Sequence, residues 1–250
     1  ETDAIDRQTV HTTSFDLRGN ALMQEVLKYY YDDRVTNTFI FSEGQTVTNS
    51  AFDFHDRISQ AFIRSYKDEA LTGFLEMQDI HYVSYDLFGN VLRQTVDTYT
   101  TIDMVAGSLL NHKVITNDYL GTGSIQIKLA DGSIVTVSSA LAQRRSSAIT
   151  TTVTKYNSLD ESLLTEIDQT ITDTSLFDYR GYALIQTQNT KVVDRFTDSA
   201  NPMERVTETR YITNDNLSNR GDAANQYIKT TRTDSTGANA QEVSYQVFTN

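Results

Sequence analysis

Histidines and acidic pairs are the residues of this chain whose chemistry could support catalysis or metal binding. The four histidines are His11, His55, His81 and His112. None of them stands at the i, i+2 or i, i+4 spacing of a metal-binding pair. The acidic pairs Asp32-Asp33 and Asp160-Glu161 lack the spaced acidic loop of an EF-hand and fit better as solvated turn residues. The sequence predicts no metal site and no cofactor, although calcium binding at clustered loops such as 214–216 stays open.

Motifs for covalent catalysis and for phosphate binding are missing or incomplete. The chain has no cysteine and no Gly-x-Ser-x-Gly elbow that would present a serine nucleophile. Gly121-Thr122-Gly123-Ser124 resembles a phosphate loop but lacks the Gly-Lys that should follow it. Asp173-Thr174-Ser175 resembles one loop of an aspartic protease, without the partner loop. We therefore predict that the protein is not an enzyme.

Tyr29, Tyr30 and Tyr31 are the best local indication of a binding surface. Consecutive residues of a β-strand point to opposite faces, so one core cannot bury all three rings. At least one ring should be exposed or contact another chain. The chain holds 14 Tyr and 11 Phe, enough for a platform on which sugars stack. The three tyrosines are the candidate binding surface, with a surface glycan as its partner.

The composition excludes several classes of protein. With 33 acidic and 21 basic side chains the formal net charge is −12, whereas binding nucleic acid through counterion release needs a basic surface. The absence of Cys excludes disulfide scaffolds and Cys-ligated metal sites. No stretch approaches the roughly 18–20 apolar residues of a membrane helix, so we expect no membrane insertion. The abundance of Thr and Tyr favours strands.

A repeated frame organises the chain, and three segments match it without gaps: 15–24, 85–94 and 177–186. The frame is an aromatic residue, Asp, two residues, Gly, and Gln five residues after the Gly. Its landmarks are Phe15, Asp16, Gly19 and Gln24 in the first copy, Tyr85, Asp86, Gly89 and Gln94 in the second, and Phe177, Asp178, Gly181 and Gln186 in the third. The aromatic landmarks are expected to pack between hairpins.

Weaker copies fill the gaps between these three. Phe52 and Asp53 lead to Gln60 with one residue deleted, and Gly221 precedes Gln226 by five residues. Poorer copies start at Tyr119 and Tyr156. The predicted repeat units lie near 15–51, 52–84, 85–118, 119–155, 156–176, 177–216 and 217–250. Together they form one continuous array.

A short triplet, a hydrophobic residue followed by Thr-Asn, also recurs. It occurs at 47–49, 115–117, 212–214 and 248–250. A new turn motif follows the first and third of these within a few residues. Because the last triplet closes the sequence, we expect the chain to be a segment of a longer protein.

Each copy of the frame has the chemistry of a β-hairpin. Asp after a strand can bond the backbone two residues on, and Gly supplies the positive φ of a tight reversal. Leu92, Gln94 and Val96 then alternate with their neighbours as a returning strand should. Asp131-Gly132 between alternating apolar runs predicts a further hairpin. The predicted fold is all-β, with tandem antiparallel hairpins stacking into a spiral, tube or sandwich-like array.

Two segments also fit helices. Ile58, Phe62 and Tyr66 fall four residues apart, and Ser158 with Glu161 makes a capping box ahead of an apolar series. Both segments occupy the position of a strand in the copy that begins at Tyr85. Since equivalent positions of a repeat should share a conformation, we predict strands at 56–66 and 158–172.

The aromatic-Asp-x-x-Gly frame resembles the YD repeat of the Rhs family, most closely at Tyr85-Asp86 with Gly89-Asn90. The resemblance extends from about Phe15 to Gln226. In its longer, Thr-rich form the repeat is also similar to tandem repeats of very large bacterial surface proteins. The resemblance implies a long ribbon of antiparallel hairpins that spirals into a shell or tube.

Two functions follow as hypotheses. The first is a non-enzymatic structural β-repeat segment of a large extracellular or cell-surface protein, forming a shell, tube or filament. Its partners would be further copies of the repeat, in the same chain or in neighbouring chains, because one hairpin cannot bury its own face. The second is an adhesin or glycan-binding β-module that uses exposed tyrosines.

Overall fold

The structure, a computed structural model, describes residues 6–32, 38–121, 123–139, 148–194, 202–218, 221–233 and 240–249. Over these residues the chain forms fifteen β-strands and one short 3₁₀ turn, Ala106–Ser108. The strands are β1 (Asp6–Phe15), β2 (Ala21–Asp32), β3 (Thr38–Phe52), β4 (Ile58–Tyr66), β5 (Phe74–Tyr85), β6 (Val91–Tyr99), β7 (Leu109–Asp118), β8 (Ser124–Lys128), β9 (Ile134–Ser138), β10 (Thr150–Tyr156), β11 (Glu166–Asp178), β12 (Ala183–Asp194), β13 (Met203–Leu217), β14 (Ala223–Thr233) and β15 (Ala240–Thr249). The predicted all-β class is confirmed.

The strands pair in chain order. Hydrogen-bonded neighbours run β1 to β7, then β10 to β15, in an open antiparallel sheet. The hairpin β8–β9 lies off this path, and β8 pairs in parallel with the end of β11, with Ile127 beside Phe177. Antiparallel neighbours in chain order are what short hairpin connections produce. The predicted array of antiparallel hairpins is therefore present.

By the proximity of its Cα atoms the chain divides into two compact units. One comprises Glu1–Ser84 and Gln94–His112, and the other Tyr85–Arg93 and Lys113–Asn250. In the first unit the most buried large side chain is Met77, and in the second it is Phe177. This division differs from the seven units read from the sequence, which stay a prediction.

Most strand residues are half-buried on both faces. The burial of β4 is typical, since its residues are half-buried except for Ala61, Ser65 and Tyr66, which are buried. Among the described residues, the largest side chains that are almost wholly enclosed are Phe177, Met77 and Ser139. The fold therefore depends on backbone ladders and cross-strand pairs of side chains more than on one thick core.

The two segments with helical patterns behave differently. Residues 58–66 form β4, as predicted. The predicted strand at 158–172 is wrong in its first half, because the strand begins only at Glu166. The preceding residues form a turn in which the Thr165 hydroxyl donates to the carbonyl oxygens of Asp160 and Ser162. Glu161, which the helical alternative places in a capping box, binds Arg93, with Oε1 and Oε2 each 2.7 Å from Nη2.

Candidate functional site

A five-residue turn, here called the repeat turn, closes the hairpin β1–β2. The Asp16 N–H donates to the Asn20 carbonyl at 2.9 Å, and the Gly19 N–H donates back to the Asp16 carbonyl at 3.2 Å. Gly19 has φ 91°, the left-handed conformation that L-residues avoid. A type I turn followed by a left-handed residue is a common three-residue hairpin loop. The Gly of the sequence frame is thus required by the backbone.

The repeat turn recurs through the described residues with the same pair of backbone hydrogen bonds. Its copies are Asp16–Asn20, Asp53–Arg57, Asp86–Asn90, Leu129–Ser133, Asp178–Tyr182 and Ser218–Asp222. Each copy has a residue of positive φ at the fourth position, and in five of them that residue is Gly. The frame landmarks Asp86, Gly89, Asp178, Gly181 and Gly221 therefore occupy equivalent places.

The copy at Asp53 corrects one reading of the sequence. Asp56, with φ 62°, takes the place of the glycine, so nothing is deleted from this turn. Gln60 pairs with Ala51 and therefore stands where Met23 stands opposite Ser14. It does not match Gln24, whose equivalent is Ala61. Asp tolerates the left-handed region better than most residues, which explains why the turn survives without Gly.

Where the first residue of the repeat turn is Asp, its carboxylate fixes the shape of the turn. In Asp16, Oδ1 accepts the N–H groups of Arg18 and Asn20, each at 2.8 Å. In Asp53 the same oxygen accepts the N–H groups of His55 and Arg57, and Oδ2 accepts from the Arg57 side chain at 2.7 Å. Burial alone would raise the pKa of Asp53, but these hydrogen bonds and the Arg57 charge outweigh it and lower that pKa to about 2.

An asparagine side chain braces each of three hairpins against the next strand, and we call this contact the Asn brace. Asn49 Nδ2 donates to the Ala21 carbonyl at 2.8 Å, Asn117 to that of Val91 at 3.0 Å, and Asn214 to that of Ala183 at 3.0 Å. Each acceptor lies two residues after the glycine of its repeat turn. The ladder between β2 and β3 starts at Met23, so the Ala21 carbonyl lies beyond it and needs a partner. In the triplets at 47–49, 115–117 and 212–214, the asparagine is the residue that makes this contact.

An arginine links successive repeat turns at two places, and we call this contact the Arg link. Arg18 Nη1 lies 3.4 Å from the carbonyl oxygen of Asp53, and Arg180 Nη1 lies 2.7 Å from that of Ser218. Both arginines stand third in their own turn, and both acceptors stand first in the next. Sequence reasoning missed this contact, although Arg directly before Gly in two copies of the frame was a visible signal. The middle copy has Phe88 at this position.

The Gln landmarks make one kind of cross-strand contact. Gln24 and Gln186 donate from Nε2 to the hydroxyls of Thr12 and Thr174, at 3.2 and 3.3 Å. Gln226 donates in the same way to Oδ1 of Asn214 at 2.8 Å. The remaining Gln landmarks are Gln94, which lies on β6, and Gln60, already described. These contacts fix the register of each hairpin directly behind its turn.

The aromatic landmarks are not equally buried. Phe177 is completely buried, whereas Phe15 is 59% exposed. The difference follows from the hairpin β8–β9, because β8 runs beside the end of β11, whereas β2 is the one described strand that pairs with β1. Phe52 and Tyr85 are half-buried. The expectation that these rings pack between hairpins is correct for Phe177 and wrong for Phe15.

The tyrosine triplet divides between the two faces of β2, as the strand period requires. Tyr29 packs edge-on against Phe41, with ring centroids 5.8 Å apart, and Tyr31 against Phe39 at 5.4 Å. The Arg7 guanidinium lies over the Tyr29 ring, 4.4 Å from its centroid. Tyr30 points to the opposite face and is 45% exposed. The structure thus forms an aromatic cluster on one face and exposes a single tyrosine on the other.

The histidines do not meet in one site. The buried His112 contacts the carboxylate of Asp97, and His81 Nε2 lies 3.2 Å from Asp79 Oδ1. His11 and His55 are exposed. Over the residues with described positions, no group of three or more His, Cys, Asp or Glu side chains could hold a metal ion. The same residues contain no helix that could span a membrane.

Comparison with known proteins adds no relative. No protein-family model matches the chain, and no curated protein matches it significantly.

Proposed function

We propose that this chain is a non-enzymatic structural β-repeat segment of a large extracellular or cell-surface protein, in which hairpins add side by side to form a shell, tube or filament. The observation that carries the proposal is the recurrence of the Asn brace and the Arg link at equivalent atoms. Both contacts join one hairpin to the next. Units that bind mainly their immediate neighbours are the physical basis of a repeat array.

The resemblance to YD repeats supports the class of parent protein and its location. The repeat turn supplies a physical reason for the aromatic-Asp-x-x-Gly frame, because Asp organises the loop and Gly takes the left-handed position. The partner of such a ribbon is a further copy of the same repeat, since the edge strands of a sheet template pairing with other strands.

Excision of one repeat in register tests the array. Removal of residues 15–51 joins Ser14 to Phe52, and the turn at Asp53 then replaces the equivalent turn at Asp16. We expect the shortened chain to keep its β-sheet circular dichroism and to unfold cooperatively, with lower stability because fewer neighbours interact.

Excision of residues 15–50 is the matched control. It removes one residue fewer, shifts the junction by one position and exchanges the two faces of the strand. We expect β1 to lose its pairing with β4 in this chain, which should lower the β-sheet circular dichroism relative to the in-register chain. If the two chains lose β-sheet signal and stability equally, the array proposal is wrong.

An adhesin or glycan-binding β-module is the second candidate, and the aromatic cluster favours it. Its rings are half-buried, the Arg7 guanidinium lies over Tyr29, and aromatic rings beside a guanidinium are groups that bind sugars by stacking and hydrogen bonding. Tyr30 is exposed on the opposite face. Binding on a glycan array that is lost in Y29A, Y30A or Y31A and kept in Y211A would support this function. Tyr211 is the control because it is 49% exposed on β13, away from the triplet along the chain. Absence of binding by the wild-type chain would remove the candidate.

A further inference from the structure

A polar hollow lies on one face of β13, β14 and β15. Its volume is about 170 Å³, and its lining residues are Glu208, Arg210, Ile228, Thr230, Arg232, Ser244 and Gln246. These residues share a face because Glu208 pairs with Arg232, Arg210 with Thr230, and Thr230 in turn with Ser244. The register of three strands thus builds the hollow without any loop.

Two arginines share one carboxylate in this hollow. Arg210 Nε lies 2.7 Å from Oε1 of Glu208, and Arg232 Nε lies 2.8 Å from Oε2. The Glu208 side chain is only 13% exposed, whereas those of Arg210 and Arg232 are 46% and 63% exposed. The hydrogen bond from Arg232 leads the contacts that lower the pKa of Glu208, and burial opposes them only in part, so the carboxylate stays ionised.

The terminal nitrogens of both guanidiniums remain available for a ligand. Each arginine contacts Glu208 most closely through Nε, and within the described parts of the chain its Nη groups donate no hydrogen bond. A guanidinium held at Nε presents its other donors in a fixed direction, which favours bidentate binding of an oxyanion. Other cations on these strands each face a different single carboxylate, as Lys229 faces Glu242 and Arg205 faces Asp194.

The hollow is therefore locally positive in an acidic chain. Two guanidinium charges and one carboxylate leave a surplus of one positive charge, while the whole chain carries −12. Thr230, which is buried, and Ser244 and Gln246 add side-chain donors around the same space. The volume equals roughly five to six waters at their share of the liquid, about 30 Å³ each, which suits a small tetrahedral ion better than a drug-sized molecule.

We propose that this hollow binds a small tetrahedral oxyanion, phosphate or sulfate, either free or as an ester at the end of a larger molecule. Arg210 and Arg232 bind its oxygens, and Glu208 orients both arginines. The site is independent of the proposed structural function, since an array of hairpins needs no ligand here.

Titration of the whole chain with inorganic phosphate, at constant ionic strength and followed by amide NMR shifts, tests the site. Two or three charge-assisted hydrogen bonds at an exposed site should give saturable binding with a dissociation constant of about 1 mM. The largest shifts should fall on β13, β14 and β15. Sulfate should compete with phosphate, and acetate, which offers fewer acceptors, should bind more weakly.

Substitutions identify the groups responsible. R232Q and R210Q, each checked for folding by circular dichroism, should weaken phosphate binding by about tenfold, because each loses a charged donor pair. K229Q is the matched control, since it removes one cation from the same strand on the opposite face and should change binding by less than about twofold. A sulfated monosaccharide and a phosphate monoester, titrated in parallel, distinguish the two ester sources.

Two results would overturn the proposal. One is wild-type protein without saturable phosphate binding, a measurement that depends on no variant. The other is equal weakening by K229Q and R232Q, which would assign the effect to net charge and not to the hollow.

Discussion

The side-chain nitrogen Nδ2 of Asn49 lies 2.8 Å from the carbonyl oxygen of Ala21 and so joins β3 to β2 at the point where the ladder between them ends. Asn117 and Asn214 make the same contact at their own hairpins. The asparagine side chain thus donates a hydrogen bond to a backbone carbonyl that lies beyond the end of the ladder, next to the turn. The brace is a property of the repeat and not of one hairpin.

Replacement of Asn49 by Ala should destabilise the protein by about 1 kcal/mol, because it leaves the half-buried carbonyl of Ala21 without its partner. Asn49 is only 7% exposed, so water cannot readily replace the amide. The free energy of unfolding in urea measures the effect. N225A is the control: Asn225 makes no side-chain hydrogen bond to the described residues, and its loss should change stability by less than about 0.5 kcal/mol. Equal effects of the two substitutions would contradict the brace.

Phe177 and Phe15 occupy the same position of the frame but should respond differently to truncation. F177A removes a completely buried ring and should cost about 3–5 kcal/mol. F15A removes a ring that is 59% exposed and should cost less than about 1 kcal/mol. Urea denaturation of both variants measures the difference. Similar costs would mean that β8 does not enclose Phe177 as described.

Three Gly→Ala substitutions should separate backbone strain from steric overlap. G107A should be nearly neutral, since Gly107 has no positive φ and an added Cβ meets nothing within 4 Å. G89A should cost about 1–2 kcal/mol from its φ of 87° alone. G221A should cost more than G89A, because its Cβ would also lie 2.5 Å from the Tyr182 ring. Thermal unfolding of the three variants gives the order, and G89A as mild as G107A would contradict the turn geometry.

Asp53 should make stability depend on pH in the acid range. Its pKa in the fold is about 2, below the ordinary value of 3.8, so the unfolded chain binds the proton more tightly. The stabilisation is therefore complete above the unfolded value and is lost as the pH falls from about 4 towards 2.

D53N should accordingly be less stable than the wild type at neutral pH and lose less stability across that window. Urea midpoints at neutral pH, near pH 4 and near pH 2 measure the change. D103N is the control, because Asp103 is exposed and has no hydrogen bond or ion pair with the described residues. It should keep the wild-type dependence on pH, and the same flattening in D103N would contradict the assignment to Asp53.

The turns were predictable from the sequence because their determinants are local. An Asp that bonds its own loop and a Gly of positive φ act within five residues, so the turns at Asp16, Asp86 and Asp178 follow from the frame. The turn at Asp53 was misaligned by one residue because Asp56 replaces the Gly. The tolerance of Asp for this conformation was the available signal.

Contacts between residues that are far apart in the chain could not be predicted from the sequence. Ile127 of β8 pairs in parallel with Phe177 of β11, although the two residues are far apart in the chain. No feature of the sequence near either residue indicates that the other is its partner. For the same reason the opposite burial of Phe15 and Phe177 could not be read from their identical frames. The hollow at Glu208 was also missed, because its residues come from three strands whose register becomes known only when the strands are paired.

The Asn brace and the Arg link also bear on how the chain folds. Asn49 contacts a residue 28 positions earlier in the chain, and Arg180 contacts one 38 positions later. Both contacts can therefore form as soon as the next hairpin exists. Contacts of such short sequence separation speed folding. Each new hairpin can therefore dock on the one made before it while synthesis continues. Phe177 can be enclosed as soon as its own strand is made. The reason is that β8 precedes β11 in the chain and is already present when β11 emerges from the ribosome.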